Sequence, residues 1–314
     1  MLHLTAALSS FALALFFCLA LLPLLRRMGG QHILTYVKEH AGKEGTPTMG
    51  GAAFLPAAAL CALAFARGAD KPFFVALAVG GAYFAVGFLD DLLKRRRGSN
   101  LGLRAYQKIV FQLAVAVMAS VYCCTEGLTV LRIPFTRTSI DIGWWMLPLG
   151  VFVLLATVNS VNLTDGLDGL AGGTCAVFFA LFAALLSLQQ ADGALGVLCV
   201  CLTGALAAFL LFNTNRASLF MGDTGSLSLG GFAAAVALFS GNALALPVAG
   251  VMFALSSISV ILQVIYYKKT GRRIFLMAPL HHHFQEKGYS EGKIAYCYAL
   301  VTALAGCALL LPFV

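Results

Sequence analysis

The sequence predicts an all-α integral membrane protein, a polytopic bundle of ten transmembrane helices with the N- and C-termini on the extracytoplasmic side. Three observations lead to this fold class. The 314 residues are 60% hydrophobic and only 11% charged, whereas soluble domains carry about 25% charged residues. The apolar residues form runs of roughly the length that crosses a bilayer core. Lysine and arginine gather in alternate loops, as the positive-inside rule describes.

Ten apolar runs are predicted to span the bilayer. The longest, 226–267, is far longer than one span needs. We divide it at Ser240-Gly241-Asn242, because these residue types favour a turn. The ten predicted spans are 4–25, 49–66, 72–89, 106–123, 143–161, 169–190, 194–212, 226–240, 244–267 and 294–312.

The basic residues predict the orientation of the bundle. Seventeen of the 21 lysines and arginines fall in loops on one side, which is therefore predicted to be cytoplasmic. This asymmetry accounts for most of the net charge of +8, although a basic face also attracts acidic lipids or a nucleotide. The sequence has no internal repeats and no low-complexity linkers. Residues 1–314 are therefore predicted to form a single transmembrane domain.

Carboxylates collect at the predicted cytoplasmic face. Nine of the 13 acidic residues lie there, and five of them are aspartates at the ends of predicted spans. A carboxylate at the edge of hydrocarbon is costly and is by default a functional-site hypothesis. The five aspartates predict an enzyme that handles a metal and phosphates: Asp90, Asp91, Asp165, Asp168 and Asp223.

Asp90 and Asp91 form an adjacent pair at the end of the third predicted span. Two neighbouring carboxylates repel each other, so one of them is readily protonated and suited to act as a base or near a metal. Asp90 and Lys94 are four residues apart and share a helical face. The alternative is a helix end with a solvated ion pair.

A second acidic segment follows the fifth predicted span. Asn162, Asp165 and Asp168 are spaced three residues apart, so they line one face if the segment is helical. Gly166 and Gly169 keep the neighbouring face small enough for a ligand or another helix to approach. The alternative is a turn rich in Asn, Asp and Gly.

A third segment, 213–226, holds Asp223 just before the eighth predicted span. Together with the other aspartates, Asp223 is a candidate magnesium ligand, because hard cations prefer carboxylate oxygens. As a single residue it would be read as a helix cap. Phe220 is either a stacking partner for a base or an interfacial anchor.

The loop 42–51, rich in Gly and Thr, precedes the second predicted span. Its backbone N–H groups and hydroxyls are suited to phosphate oxygens, with Lys43 as a point charge. It lacks the ending of a Walker-type loop, and the alternative is an ordinary loop in which Thr48 caps the next helix.

Three successive histidines, His281, His282 and His283, lie in the longest predicted cytoplasmic loop, about 268–293. Their spacing is unlike that of zinc ligands. Phosphate binding or proton handling near neutral pH suits them better, and a solvated loop is the alternative.

These segments together resemble the phospho-N-acetylmuramoyl-pentapeptide transferase branch of the polyprenyl-phosphate N-acetylhexosamine-1-phosphate transferase superfamily. The resemblance rests on five blocks in family order, which extend over about residues 26–293. They are Lys43 to Gly51, Asp90 to Lys94, Asn162 to Gly169, Met221 to Ser226, and Pro279 to Phe284.

The resemblance implies an activity and its participants. Members transfer phospho-N-acetylmuramoyl-pentapeptide from its UDP-linked donor to undecaprenyl phosphate with Mg²⁺, release UMP, and form the first lipid-linked precursor of peptidoglycan. The enzyme is expected in the bacterial cytoplasmic (inner) membrane with its active site facing the cytoplasm. Members are typically homodimers and targets of nucleoside antibiotics, and no nucleic-acid partner is expected.

The resemblance also implies residue roles. Asp223 is expected to bind magnesium and, with Asp90 and Asp91, to form the catalytic centre, while Lys94 and Lys108 contact phosphate. Phe220 is expected to stack on uracil. The remaining expected active-site and substrate contacts are Lys43, Thr48, Asn162, Asp165, Asp168, Asn213, His281, His282 and His283. Gln285 departs from the family pattern, in which an acidic residue usually follows the histidine–phenylalanine run.

Several alternatives stay open at this point. A sister enzyme class transfers N-acetylglucosamine-1-phosphate to the same lipid, and the three contiguous histidines favour the muramoyl-pentapeptide branch over it. A secondary transporter would place its polar residues near the middle of the spans, whereas here they gather at one face. The chemistry is either direct attack by the lipid phosphate with Asp90 as base, or a two-step route through Asp91 or Asp223 as nucleophile.

Overall fold

The computed structural model of the chain describes residues 1–27, 45–97, 102–190, 193–214 and 216–314. Within this part, the chain is an all-α bundle with one small β-hairpin. The helices are α1 (Leu2–Arg27), α2 (Gly51–Phe65), α3 (Lys71–Arg96), α4 (Ala105–Thr125), α5 (Met146–Thr164), α6 (Leu170–Leu188), α7 (Ala194–Asn213), α8 (Gly222–Phe239), α9 (Leu246–Ala249), α10 (Val251–Thr270), α11 (Leu280–Glu286) and α12 (Glu291–Leu310).

Each of the ten predicted spans coincides with a helix, but among the described residues only eight helices have the length and apolar composition to cross a membrane. The other two are α2, which has only 15 residues, and α8, whose first turns are rich in Gly, Ser and Thr. The predicted break after residue 239 is present, with Gly241 in the left-handed region at φ 73°. The next long helix begins at Val251 rather than 244, because the short α9 and Gly250 come first.

Helix α8 lies at the centre of the bundle. All its residues from Thr224 to Phe239 are buried, and it packs against α3 and α5. Helix α7 packs against α1, α2 and α6, and α6 also packs against α12. Small residues in α8 allow this close packing: a Cβ atom at Gly230 would lie 2.6 Å from the Val158 Cα of α5.

A β-hairpin between α4 and α5 was not predicted. Its strands β1 (Val130–Arg132) and β2 (Ser139–Asp141) are antiparallel, with Leu131 opposite Ile140. A 3₁₀ turn with two exposed tryptophans, Trp144 and Trp145, then leads into α5. Strands of three residues are too short to show the alternation by which a strand is recognised in a sequence.

Candidate active site

Three aspartates meet where the end of α3 lies against the start of α8. Oxygen atoms of Asp90, Asp91 and Asp223 lie within 4.8 Å of one another. The backbones come close because Gly87 has no side chain: a Cβ atom there would collide with the carbonyl oxygen of Asp223. The predicted catalytic carboxylates are therefore brought together from segments far apart in the chain.

Asp223 is the hub of this cluster. Its Oδ2 atom accepts hydrogen bonds from Lys94 Nζ at 2.9 Å and Lys108 Nζ at 2.8 Å. Its Oδ1 atom accepts one from Asn162 Nδ2 at 2.7 Å. These partners come from the last turns of α3 and α5 and the first turn of α4, so the site lies at one end of the bundle.

Asp91 anchors the start of α8. One of its oxygens accepts hydrogen bonds from the Thr224 backbone N at 2.9 Å and the Thr224 hydroxyl at 2.6 Å, and the other accepts one from the Asp223 backbone N at 3.2 Å. The first N–H groups of a helix have no partner within the helix and favour a negative charge. Asp91 thus fixes the backbone that carries Asp223.

Asp90 is almost fully buried, with 2% of its surface exposed. Oδ2 of its carboxylate pairs with Lys94 Nζ at 2.7 Å, and Oδ1 accepts a hydrogen bond from the Leu103 backbone N at 2.7 Å. The predicted i,i+4 pair of Asp90 and Lys94 is present. It is part of the buried cluster and is not the solvated ion pair that was the alternative.

The amide of Asn162 is held in one orientation. Its Nδ2 donates to Asp223 Oδ1 and, at 2.8 Å, to the hydroxyl of Ser226. Ser226 was not predicted as a site residue. The polar character of the first turns of α8 was the available signal for it.

Asp165 lies in the turn directly after α5. Burial raises its pKa to about 8, and the nearby negative charges of Asp223 and Asp91 act in the same direction. The side chain is therefore close enough to the three-aspartate cluster to be affected by its charge. A carboxyl group with this pKa is largely protonated at neutral pH.

Asp168 and Asn213, both predicted as substrate contacts, use their side chains to hold the backbone. Asp168 accepts a hydrogen bond from the Ala217 N at 2.8 Å, and Asn213 accepts one from the Gly169 N at 3.1 Å while donating to the Leu219 carbonyl oxygen at 2.9 Å. Asn213 is 3% exposed and Asp168 6% exposed. Both stabilise the loops around the site.

Glu291 is a further residue near the site for which no role was predicted. Its carboxylate, at the start of α12, accepts a hydrogen bond of 2.9 Å from the backbone N of Asp168. It is remote in sequence from the other acidic segments, so no local pattern pointed to this contact.

The three histidines lie on the short helix α11, in different environments. His281 is fully buried, and burial, followed by the nearby His282, lowers its pKa to about 3. It packs against Gly166, where an added Cβ atom would collide with Nε2 of the imidazole. His281 therefore joins the loop that carries Asp165 and is uncharged at neutral pH.

His282 and His283 have separate partners. His282 Nδ1 lies 2.9 Å from Gln285 Oε1, so the residue that departs from the family pattern contacts one of the histidines. His283 Nδ1 accepts a hydrogen bond of 3.1 Å from the Leu276 N. Burial and the charge of Lys287 lower the pKa of His283.

The loop before α2 also reaches the site. An added Cβ at Gly222, whose φ is 71°, would lie 2.7 Å from the Thr48 hydroxyl and would collide with Asp91 Oδ2. Phe220 donates its backbone N–H to the Pro47 carbonyl oxygen at 2.9 Å and accepts a hydrogen bond from the Gly50 N at 2.8 Å. Its ring is half-buried. Lys43 lies outside the described residues.

The donor set fits a magnesium ion. Three carboxylates within 4.8 Å of one another offer the hard oxygen ligands that Mg²⁺ prefers, and this ion commonly uses one or two carboxylates and the phosphates of a substrate. Asp223 is the most accessible of the three, with 14% of its side chain exposed against 3% for the other two.

Comparison with known proteins agrees with this arrangement. The sequence profile of glycosyl transferase family 4 matches residues 73–241, which contain all three aspartates of the cluster. The chain belongs to glycosyl transferase family 4. This confirms the resemblance inferred from the motifs.

Relatives within this family match nearly the whole chain. A phospho-N-acetylmuramoyl-pentapeptide-transferase of Caldanaerobacter subterraneus is 43% identical over 302 residues, which cover 96% of this chain and 95% of the relative. The enzymes of the same name from Bacillus velezensis and Geobacillus kaustophilus are 41% and 43% identical, and the matches cover 88% and 90% of this chain and 87% and 89% of the relatives.

Proposed function

We propose that this family 4 enzyme transfers phospho-N-acetylmuramoyl-pentapeptide from its UDP-linked donor to undecaprenyl phosphate. The products are UMP and the first lipid-linked intermediate of peptidoglycan synthesis. The names and the full-length similarity of the relatives support this proposal. The structural observation that carries it is the cluster of Asp90, Asp91 and Asp223 with two lysines at one end of an apolar bundle.

The proposed enzyme lies in the bacterial cytoplasmic (inner) membrane with ten spans, α2 and α8 included, and with both termini outside. Its active site faces the cytoplasm. The basic last turns of α1, α3 and α10 support this orientation, because positive residues favour the cytoplasmic side. That side is where a soluble nucleotide donor and the phosphate of an inner-leaflet lipid can meet. We also propose a homodimer, on the resemblance alone.

We propose Mg²⁺ as the cofactor, with Asp223 as its ligand and Asp90 and Asp91 beside it. Bound there, the ion would neutralise charge on the diphosphate and on the departing UMP. Lys94 and Lys108 supply further positive charge for the phosphates. Phosphoryl transfer depends mainly on such positioning and charge neutralisation.

In the proposed reaction, an oxygen of the lipid phosphate attacks the β-phosphorus of the donor. A new P–O bond forms, and the bond between the β-phosphorus and the bridging oxygen breaks, so that UMP leaves with the electron pair. Asp90 accepts the proton of the lipid phosphate or orients that group. Asp91 is a poor nucleophile for a two-step route, because its oxygens already accept three hydrogen bonds from the start of α8.

The test is UMP release by the purified protein with undecaprenyl phosphate and each of two donors, with and without Mg²⁺. We expect release with UDP-N-acetylmuramoyl-pentapeptide and Mg²⁺. Release with UDP-N-acetylglucosamine but not with UDP-N-acetylmuramoyl-pentapeptide would identify the sister activity instead. A phospho-sugar enzyme intermediate trapped during a single turnover would contradict direct attack.

A further inference from the structure

Gln112 is a fully buried amide inside α4. Its Oε1 accepts a hydrogen bond of 2.8 Å from Asn159 Nδ2 of α5, and the same Nδ2 also donates to the Leu155 carbonyl oxygen. In the part of the chain that the structure describes, Gln112 Nε2 has no hydrogen-bond partner. An amide buried with an unpaired donor is costly, so an apolar residue would pack here at lower cost.

The backbone of Gln112 holds a third helix. Tyr83 of α3, whose side chain is fully buried, donates its hydroxyl to the Gln112 carbonyl oxygen at 3.1 Å. Tyr83 precedes Asp90 by seven residues, two helical turns on the same face. Gln112 is thus the point where α3, α4 and α5 are joined by side-chain hydrogen bonds.

The same three helices carry the catalytic cluster. Lys108 precedes Gln112 by four residues on α4, and Asn162 follows Asn159 by three on α5. The Gln112–Asn159 hydrogen bond therefore lies about one helical turn from Lys108 and Asn162, along the seam between α4 and α5. Lys108 and Asn162 reach Asp223 at 2.8 Å and 2.7 Å. A helix rises about 1.5 Å per residue, so a slip of one residue along the seam would break such contacts.

We propose that Gln112 is a positioning residue that fixes the register of α4 against α5 and so places Lys108 on Asp223. This inference rests on the proposed function. Gln112 itself touches none of the three aspartates through a described hydrogen bond. It acts through Lys108, and its partner in this role is Asn159.

The first test replaces Gln112 by Leu, which has a similar size but no amide. We expect kcat to fall about 10- to 100-fold, as for misplaced catalytic groups, with a much smaller change in the KM of the UDP-linked donor. When Lys108 is already replaced by Met, adding Gln112→Leu should cause no further loss of kcat. The double variant Gln112→Asn with Asn159→Gln, in which the two amides are exchanged, should keep kcat near the native value.

A matched control comes from the opposite end of the bundle. Gln189 and Asn242 form a reciprocal amide pair with two hydrogen bonds of 3.0 Å. Gln189→Leu should lower the thermal stability while kcat is retained. An equal loss of kcat in Gln189→Leu and Gln112→Leu would show that only stability is involved and would overturn the proposal.

A readout independent of turnover separates this inference from the proposed function. The rate of reductive methylation of Lys108, followed by mass spectrometry, should rise in Gln112→Leu and stay unchanged in Gln189→Leu. If Gln112→Leu does not fold, Gln112→Met, which has a similar length and no amide, replaces it. An unchanged Lys108 rate would overturn the inference, whereas a native chain without UMP release would overturn the proposed function alone.

Discussion

Lys108 and Asp223 are 115 positions apart in the chain and are joined by an ion pair of 2.8 Å. The contact fastens the start of α4 to the start of α8. Because Lys94 binds the same carboxylate oxygen at 2.9 Å, two ammonium groups converge on Oδ2 of Asp223. These contacts join the end of α3 and the start of α4 to the start of α8 through one carboxylate.

Asp223→Asn keeps the shape of this side chain and removes its charge. We expect kcat to fall about 10²- to 10³-fold, comparable to the loss of one preorganised electrostatic contact, and the Mg²⁺ concentration needed for half-maximal rate to rise. UMP release across a Mg²⁺ titration measures both. Asp141→Asn, on the exposed hairpin, is the control, and full activity of Asp223→Asn would refute the metal assignment.

Thr224→Val tests the anchor at the start of α8. Asp91 loses its 2.6 Å hydroxyl donor, and a hydrogen bond to a charged group contributes about 1.5–3 kcal/mol. We expect a loss of stability of that size together with a lower kcat. Thr174→Val is the matched control, because that buried hydroxyl donates to the Leu170 carbonyl oxygen of its own helix and not to a charged group. Similar losses in the two variants, measured by thermal unfolding in detergent, would speak against the anchor.

Gly166→Ala places a methyl group against His281. The added Cβ would collide with Nε2 of the buried imidazole, so α11 or the loop that carries Asp165 must shift. We expect at least about a tenfold loss of kcat, because small displacements at an active site are costly. Gly173→Ala is the control: among the described residues, nothing beyond its own helix turn lies within 4 Å of the added Cβ, and we expect unchanged activity.

The stability of the protein should decrease with rising pH because of Asp165. Its pKa of about 8 in the folded state exceeds the value of about 3.9 in an unfolded chain. Between these values the folded state binds more protons, so the stability falls as the pH rises. Asp165→Asn should therefore show a shallower decline between pH 5 and 8 in thermal unfolding with EDTA.

Asp141→Asn is the control for that experiment. Hydrogen bonds from Thr129 and Gly143 lower the pKa of Asp141, so the stability that it contributes is lost only in acid, below its ordinary value. Its replacement should leave the slope between pH 5 and 8 unchanged. A slope in Asp165→Asn equal to that of the native chain would contradict the protonation of Asp165.

The sequence was sufficient to predict the long helices and the main cluster, because both depend on strong local signals, but not the short helix α11, which lies in the predicted loop 268–293. Apolar runs mark helices in a membrane protein, and the cost of a carboxylate at the membrane edge singled out Asp90, Asp91 and Asp223. The periodicity of Asn162, Asp165 and Asp168 was only partly informative. Helix α5 ends at Thr164, so Asp165 and Asp168 lie in a turn and do not share a helical face with Asn162.

The sequence could not predict which partner each polar side chain contacts. Asn213 and Asp168 are predicted to contact substrate, and the structure adds that each also accepts a hydrogen bond from the backbone of a neighbouring loop. Glu291 and Ser226 contribute contacts that only the tertiary fold creates. Residue type indicates which groups can bind, whereas chain geometry decides which partner each group reaches first.

Lys94 and Lys108 both bind one oxygen of Asp223. Before a substrate binds, the carboxylate of Asp223 is therefore the counterion of both ammonium groups. We expect a diphosphate that arrives there to exchange partners with Asp223, so that the number of ion pairs at this end of the bundle stays nearly constant. Nucleotide affinity should then vary less with ionic strength than it does for an exposed basic patch, whose attraction is screened by salt. Lys94 and Lys108, with 22% and 20% of their side chains exposed, are sheltered enough for this exchange.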